Sequence, residues 1–180
     1  MFSLLRFRRA AAFEPHFAAV ARAALALLFL LAAAAISPAG AADKNLPVPR
    51  FVSLRSDQVN VRTGPGERYP VDWIFTHKDM PVEIVAEFEN WRKIRDWQGT
   101  EGWVHQRMVT GRRSVIVEGA VRELHSRPQS DAQIVARAEP GVIARLLECQ
   151  DGWCRVEKDG VTGWLARDQV WGVYPNETIQ

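Results

Sequence analysis

The 180-residue chain is poor in the residues from which most active sites are assembled. It has two cysteines, Cys149 and Cys154, and four histidines. His77, His105 and His125 show no paired spacing such as the i, i+4 histidines of zinc proteases, and two cysteines are not a four-ligand set, so neither a metal nor a cofactor is expected. No Gly-x-Ser-x-Gly nucleophile elbow occurs. Cys149 and His125 are the right types for a thiol dyad, but a disulfide competes for the same sulfur. The expectation is a protein that is not an enzyme. Past residue 42 there is no helical hydrophobic period of useful length.

Long apolar runs are also missing. The longest, from Ala23 to Ile36, is 14 residues, short of the roughly 20 that span a bilayer. Arg6, Arg8, Arg9 and Arg22 accompany it, and small residues at Ala39 and Ala41, or Gly40 and Ala42, suit signal peptidase pockets. Residues 1–42 are therefore expected to be a signal peptide, with the mature chain starting at Ala42 or Asp43. A retained anchor is the alternative. Once the signal is cleaved, no stable membrane span is expected.

Removing residues 1–42 changes the formal charge from +2 to −1. A near-neutral chain lacks the clustered positive face that phosphate backbones require, which argues against a nucleic-acid partner. In an oxidising, exported setting, expected to be periplasmic, Cys149 and Cys154 read first as a disulfide. They bracket Gln150-Asp151-Gly152-Trp153 at the neck of a predicted hairpin, where facing cysteines approach bonding distance.

The rest of the chain holds a repeat. Trp91 with Gly102-Trp103-Val104 matches Trp153 with Gly163-Trp164-Leu165, at a period of about 62 residues, the size of an independent small barrel. Upstream, Arg62-Thr63-Gly64-Pro65 lies opposite Ser126-Arg127-Pro128, and Val71 opposite Ile134. The copies are placed at residues 51–111 and 115–175, after an extended linker at 43–50. Short β-branched runs predict strands at Val59 to Arg62, Val71 to Phe75, Val82 to Phe88, Trp91 to Arg95 and Gly102 to His105. The second copy predicts Ile134 to Ala138, Val142 to Cys149, Trp153 to Glu157 and Gly163 to Ala166, with Asp159-Gly160 as a hairpin turn. The fold class is all-β: two tandem small β-barrels.

The run from Val59-Asn60-Val61-Arg62-Thr63-Gly64-Pro65-Gly66 to Val71, with Trp91 and Gly102-Trp103-Val104 downstream, resembles the bacterial SH3 (SH3b, SH3-like) domain family of exported cell-envelope proteins. The resemblance covers nearly all of residues 51–175. It implies that the Asn-Val-Arg stretch leaves the first strand for a long loop, and that Gly-Trp-Val is a core strand. It also implies peptidoglycan or its stem peptides as ligand. The second copy departs at its start, where a degenerate first loop lacks the Asn and both glycines.

Six of the seven tryptophans lie in matched strands or their turns. Trp103 and Trp164 are assigned to the core. Gly64 and Gly66 are read as supplying backbone conformations closed to other residues. Asn60, Arg62, Tyr69 and Trp91 are the candidate groove for a glycan or peptide; for Asn60 and Arg62 the other reading is that they tie the loop down by hydrogen bonds, and for Trp91, as for Trp153, that the ring packs in the core. Arg62, Arg68 and Lys93 are available to meet stem-peptide carboxylates. Trp97, at a hairpin tip, is a candidate for contact with a protein partner or with the other barrel, and Trp171 for contact with a protein partner, the rival function being that of a periplasmic scaffold. The sequence does not specify an oligomeric state.

Overall fold

The structure is a computed structural model and is described over residues 46–180. The expected signal peptide and its cleavage site lie outside the described residues. Residues Pro47–Gln180 form one compact unit that contains two seven-stranded antiparallel sheets.

The first sheet is built from β1 (Arg50–Leu54), β2 (Val59–Arg62), β3 (Val71–Phe75), β4 (Pro81–Phe88), β5 (Trp91–Arg95), β6 (Glu101–His105) and β7 (Val109–Thr110). The second comprises β8 (Ser114–Val117), β9 (Arg122–His125), β10 (Ile134–Ala138), β11 (Ile143–Gln150), β12 (Trp153–Lys158), β13 (Val161–Ala166) and β14 (Val170–Trp171). Strand order is β3-β2-β6-β5-β4-β1-β7 in one and β10-β9-β13-β12-β11-β8-β14 in the other, so each strand has its counterpart seven places on. The repeat in the sequence is thus a repeat of topology. A single 3-10 turn precedes the last strand of each sheet, at Gln106–Met108 and Arg167–Gln169.

Turn chemistry sets the register of the hairpins. Asp151-Gly152 and Asp159-Gly160 take positive φ at both positions (49° and 80°, 49° and 82°), the pattern whose twist matches the flanking strands. Cys149 faces Cys154 across β11 and β12, with Cα atoms 4.1 Å apart, and the two are joined in the expected disulfide.

Each sheet closes on its own apolar core. Val52, Leu54, Val59, Val61, Ile84, Ile94 and Val104 fill the first; Val115, Val117, Leu124, Leu146, Val156 and Leu165 fill the second, together with the disulfide. Each such side chain removed from water contributes about 1.5–3 kcal/mol. The two tryptophans assigned to the core lie elsewhere. Strand alternation turns Gly102 and Val104 inward and leaves Trp103 half-exposed on the opposite face, and Gly163, Leu165 and Trp164 repeat this. A Cβ at Gly102 would collide with Val61 and lie 3.0 Å from Trp73; one at Gly163 would lie 2.8 Å from the Leu124 side chain and 2.9 Å from Val135. The glycine is what the interior needs, because neighbouring side chains occupy the space its own would take.

Strands β1 and β8 carry no alternating pattern in the sequence, and β1 makes Val59–Arg62 the second strand and not the first. Both are buried on two faces. Val52 and Leu54 point into the first core while Phe51 and Ser53 point away from it, yet Ser53 is only 1% exposed. The second barrel covers that face: Ser53 Oγ and Ser114 Oγ lie 2.5 Å apart, and Ser114 Oγ donates to the Asp79 carbonyl at 2.6 Å. The Phe51 ring meets Trp171 edge-on at 4.8 Å and Tyr174 at 4.7 Å. Only residues 111–113 separate the two sheets along the chain.

The C-terminal segment fastens this contact. Tyr174 Oη donates to Glu83 Oε1 at 2.8 Å, and Arg113 pairs with Glu177 through two hydrogen bonds of 2.5 and 3.0 Å. Arg167 Nη1 donates to the carbonyls of Tyr174, Pro175 and Glu177 at 2.7–2.8 Å. Ile179 then exchanges backbone hydrogen bonds with Cys149 at 2.9 and 3.1 Å.

Candidate ligand groove

Three of the four residues marked for a groove converge on one. Asn60, Arg62 and Trp91 line an open depression of about 460 Å³ with Glu67, His105 and Arg107. Strand pairing makes the convergence: Arg62 lies opposite Trp103 across β2 and β6, while Trp91 lies opposite His105 across β5 and β6. The Trp91 and His105 rings meet edge to face at 5.5 Å. His105 also caps the following 3-10 turn, its Nδ1 accepting from the Arg107 amide at 3.2 Å. That turn carries Arg107 to the groove, where its guanidinium enters no ion pair among the described residues.

Tyr69 is not in the wall of this groove. Its ring lies over Gly64, so closely that a Cβ at residue 64 would fall within 2.6 Å of Cε1. Neither Gly64 nor Gly66 has positive φ, so the expected conformational role is replaced, at Gly64, by a steric one. The Arg68 guanidinium stands 5.1 Å from the Tyr69 ring centroid and donates to its hydroxyl at 3.3 Å.

Arg62 belongs to both readings offered for it. It lines the groove, and its Nη1 donates to the carbonyls of Tyr69 at 2.7 Å and Glu67 at 3.1 Å, tying the loop to the strand it leaves. His125 takes its place in the second copy: it pairs opposite Trp164, and its Nδ1 bonds the Ala132 carbonyl at 3.0 Å, also seven residues on. A carbonyl only accepts, so Nδ1 carries the proton. The backbone of the two loops corresponds as well. Thr63 donates to Pro70 and Tyr69 to Gly66, and Ser126 donates to Gln133 and Ala132 to Gln129. At the positions of Gly64 and Tyr69 stand Arg127 and Ala132. With the ring gone, the glycine is no longer required.

The remaining predicted residues lie apart from the groove. Trp97 is 38% exposed at the tip of the β5–β6 turn, which Asp96 stiffens by accepting from the amides of Gln98 at 3.0 Å and Thr100 at 2.8 Å. Trp171 is packed on Phe51 within the molecule. Lys93 is engaged with Glu101 at 2.6 Å, and this partner, more than the opposing partial burial, holds the Glu101 carboxyl below its usual range. Sequence reasoning missed His105 and Arg107 in the groove; the signal was the strand end that places residue 105 opposite Trp91.

The bacterial SH3 domain family model matches residues 55–111 and 119–172. The chain belongs to the bacterial SH3 domain family. Each match falls on one of the two sheets, so both copies are bacterial SH3 domains, the degenerate loop of the second included. Among curated proteins, the SH3 chain is 22% identical over 128 residues to the "Putative N-acetylmuramoyl-L-alanine amidase YrvJ" of Bacillus subtilis, covering 65% of this chain and 24% of that one. Among solved structures it is similar to NlpC2 (13% identity, TM-score 0.33) and NlpC1 (15%, 0.33), both of Trichomonas vaginalis. It covers 51% and 50% of those chains, about half their length.

Proposed function

We propose that this chain is an exported, non-enzymatic binding module of the cell envelope, working in the periplasm. Its ligand is peptidoglycan or the stem peptides of peptidoglycan, held in the groove of the first barrel. The observation that carries this reading is the convergence of Trp91 with Arg62 and Arg107 on one open depression. An aromatic ring covers a sugar face or a peptide backbone, and guanidinium groups pair with carboxylates in fork geometry. The curated relative, an amidase by name, is consistent with a wall ligand.

Co-sedimentation of the purified protein with peptidoglycan sacculi at two salt concentrations tests the reading. Saturable pelleting is expected, with R107A weakening it about tenfold, the loss of one charge-assisted contact of roughly 1.5 kcal/mol. W91A should weaken it further. No pelleting at either salt concentration overturns the proposal. Recovery of one stoichiometric envelope protein by cross-linking would then favour the scaffold reading, for which exposed Trp97 at its stiffened turn is the supporting observation.

A further inference from the structure

In the second barrel the positions of the first groove are divided between two adjoining hollows, Glu123 and His125 lining one and Trp153, Ala166 and Asp168 the other, and the charge of the Trp153 hollow is reversed. The pairings fix the correspondence. Trp91 opens β5 opposite His105, and Trp153 opens β12 opposite Ala166. The middle residue of the first 3-10 turn is Arg107; that of the second is Asp168. Trp153, Val173, Pro175, Glu118, Arg167 and Asp168 line this second hollow, about 630 Å³ in volume.

Of the charged groups in the first groove, Arg62 and Arg107 against Glu67 leave a formal +1; in the second hollow, Glu118 and Asp168 against Arg167 leave −1. The cation there is already engaged, since Arg167 Nη1 bonds three carbonyls of the C-terminal segment. The carboxylates are not: among the described residues neither Glu118 nor Asp168 enters an ion pair or accepts a side-chain hydrogen bond. Arg122 donates to the Glu118 backbone carbonyl at 3.1 Å, and Arg137, in the adjoining hollow, is paired with Glu123 at 3.0 Å. The floor is apolar and aromatic, with Trp153 half-buried and edge-on to His125 at 5.8 Å.

Two unpaired carboxylates beside an indole and a proline form a receptor for a cation on an aliphatic stem. The carboxylates take the charge, the ring adds cation–π attraction, and Val173 and Pro175 cover methylenes. We propose that the hollow between Trp153 and Pro175 is a second ligand site, selective for a primary ammonium group on a short alkyl chain. It deepens the reading above, on which it rests for the source of the ammonium: a peptide with free carboxylates and a free side-chain amine would engage both barrels, one through each charge.

The test uses the purified protein and two small probes, cadaverine as diamine and glutarate as dicarboxylate, with the indole N–H resonances of Trp91 and Trp153 followed by NMR. Cadaverine is expected to shift Trp153 and leave Trp91 in place, and glutarate to do the reverse. The isosteric E118Q/D168N variant should bind cadaverine about tenfold more weakly, as expected for the loss of charge-assisted contacts, with the Trp91 response to glutarate unchanged as evidence of folding. D168R, which installs the residue type of the first barrel, should transfer glutarate sensitivity to Trp153. The proposal is overturned if cadaverine leaves Trp153 unmoved, shifts both indoles alike, or acts equally on E118Q/D168N. Sacculi that fail to pellet while cadaverine still shifts Trp153 would remove the wall ligand and leave the amine site standing.

Discussion

Tyr174 donates its hydroxyl hydrogen to Glu83 at 2.8 Å, across 91 residues of sequence. Glu83 is 6% exposed, and its other oxygen accepts from Arg95 at 2.6 and 3.0 Å. One buried carboxylate thus ties the end of the second barrel to β4 of the first.

The phenol should report this contact in alkali. Burial, then the bond to Glu83, pushes the Tyr174 pKa well above its ordinary value. Because the folded value is the raised one, the stabilisation is complete below about pH 10 and declines as pH rises toward the folded value. Absorbance at 295 nm should therefore show Tyr174 protonated where a free tyrosine ionises, until the protein unfolds. Y174F should cost about 1–2 kcal/mol at neutral pH by urea denaturation, the usual effect of removing one donor from a buried acceptor. An unchanged denaturation midpoint would contradict the contact.

In acid Glu177 joins Glu101 as a carboxyl held low, and it is the one at the barrel contact. Burial opposes its charge, but Arg113, the Tyr174 amide and Arg167 outweigh it and hold the carboxyl below its ordinary value. A depressed folded pKa adds stability above the unfolded value of about 4.3, lost as pH falls through the folded one. Urea midpoints measured between pH 6 and pH 3 should fall in the wild type and fall less steeply in E177Q. Parallel slopes would show that Arg113 does not depend on Glu177 for its charge partner.

Gly64 and Tyr69 should behave as a coupled pair. G64A forces a methyl group against the phenol ring and should cost about 1–3 kcal/mol, the range for overpacking. In the Y69A background the same substitution should cost far less, leaving a coupling energy of about 1 kcal/mol or more in a double-mutant cycle. Additive effects would mean that residue 64 is glycine for another reason. In the second copy, R127G should gain no steric relief, since Ala132 already leaves the space open.

These sites differ in how far the sequence exposes them. The β5 and β12 strands, the disulfide hairpin and the sheet-by-sheet repeat were legible because tryptophans, Asp-Gly turns and short β-branched runs are local signals. β1 and β8 were not, because a strand buried on both faces loses the polar alternation that marks a half-buried one, and what covers it is the other copy. Size alone misplaces Trp103 and Trp164 in the core. Their inward neighbours are glycines, and only the crossing of Val61 or Leu124 over the strand explains why. Three of the four residues marked for the groove, Asn60, Arg62 and Trp91, line it; Arg107 enters it only through a 3-10 turn whose start is set by His105.

The wall shared by β1 and β8 makes the pair something other than beads on a string. Phe51 and the paired serines are covered by contacts from the other barrel, and only three residues join the sheets. The two depressions are mounted on one compact unit, joined by this shared wall. A flexible tether accepts any spacing at the expense of local concentration; a stiff one favours the partner whose two features match its gauge. On the proposed two-site reading, the pair would measure distance as much as chemistry.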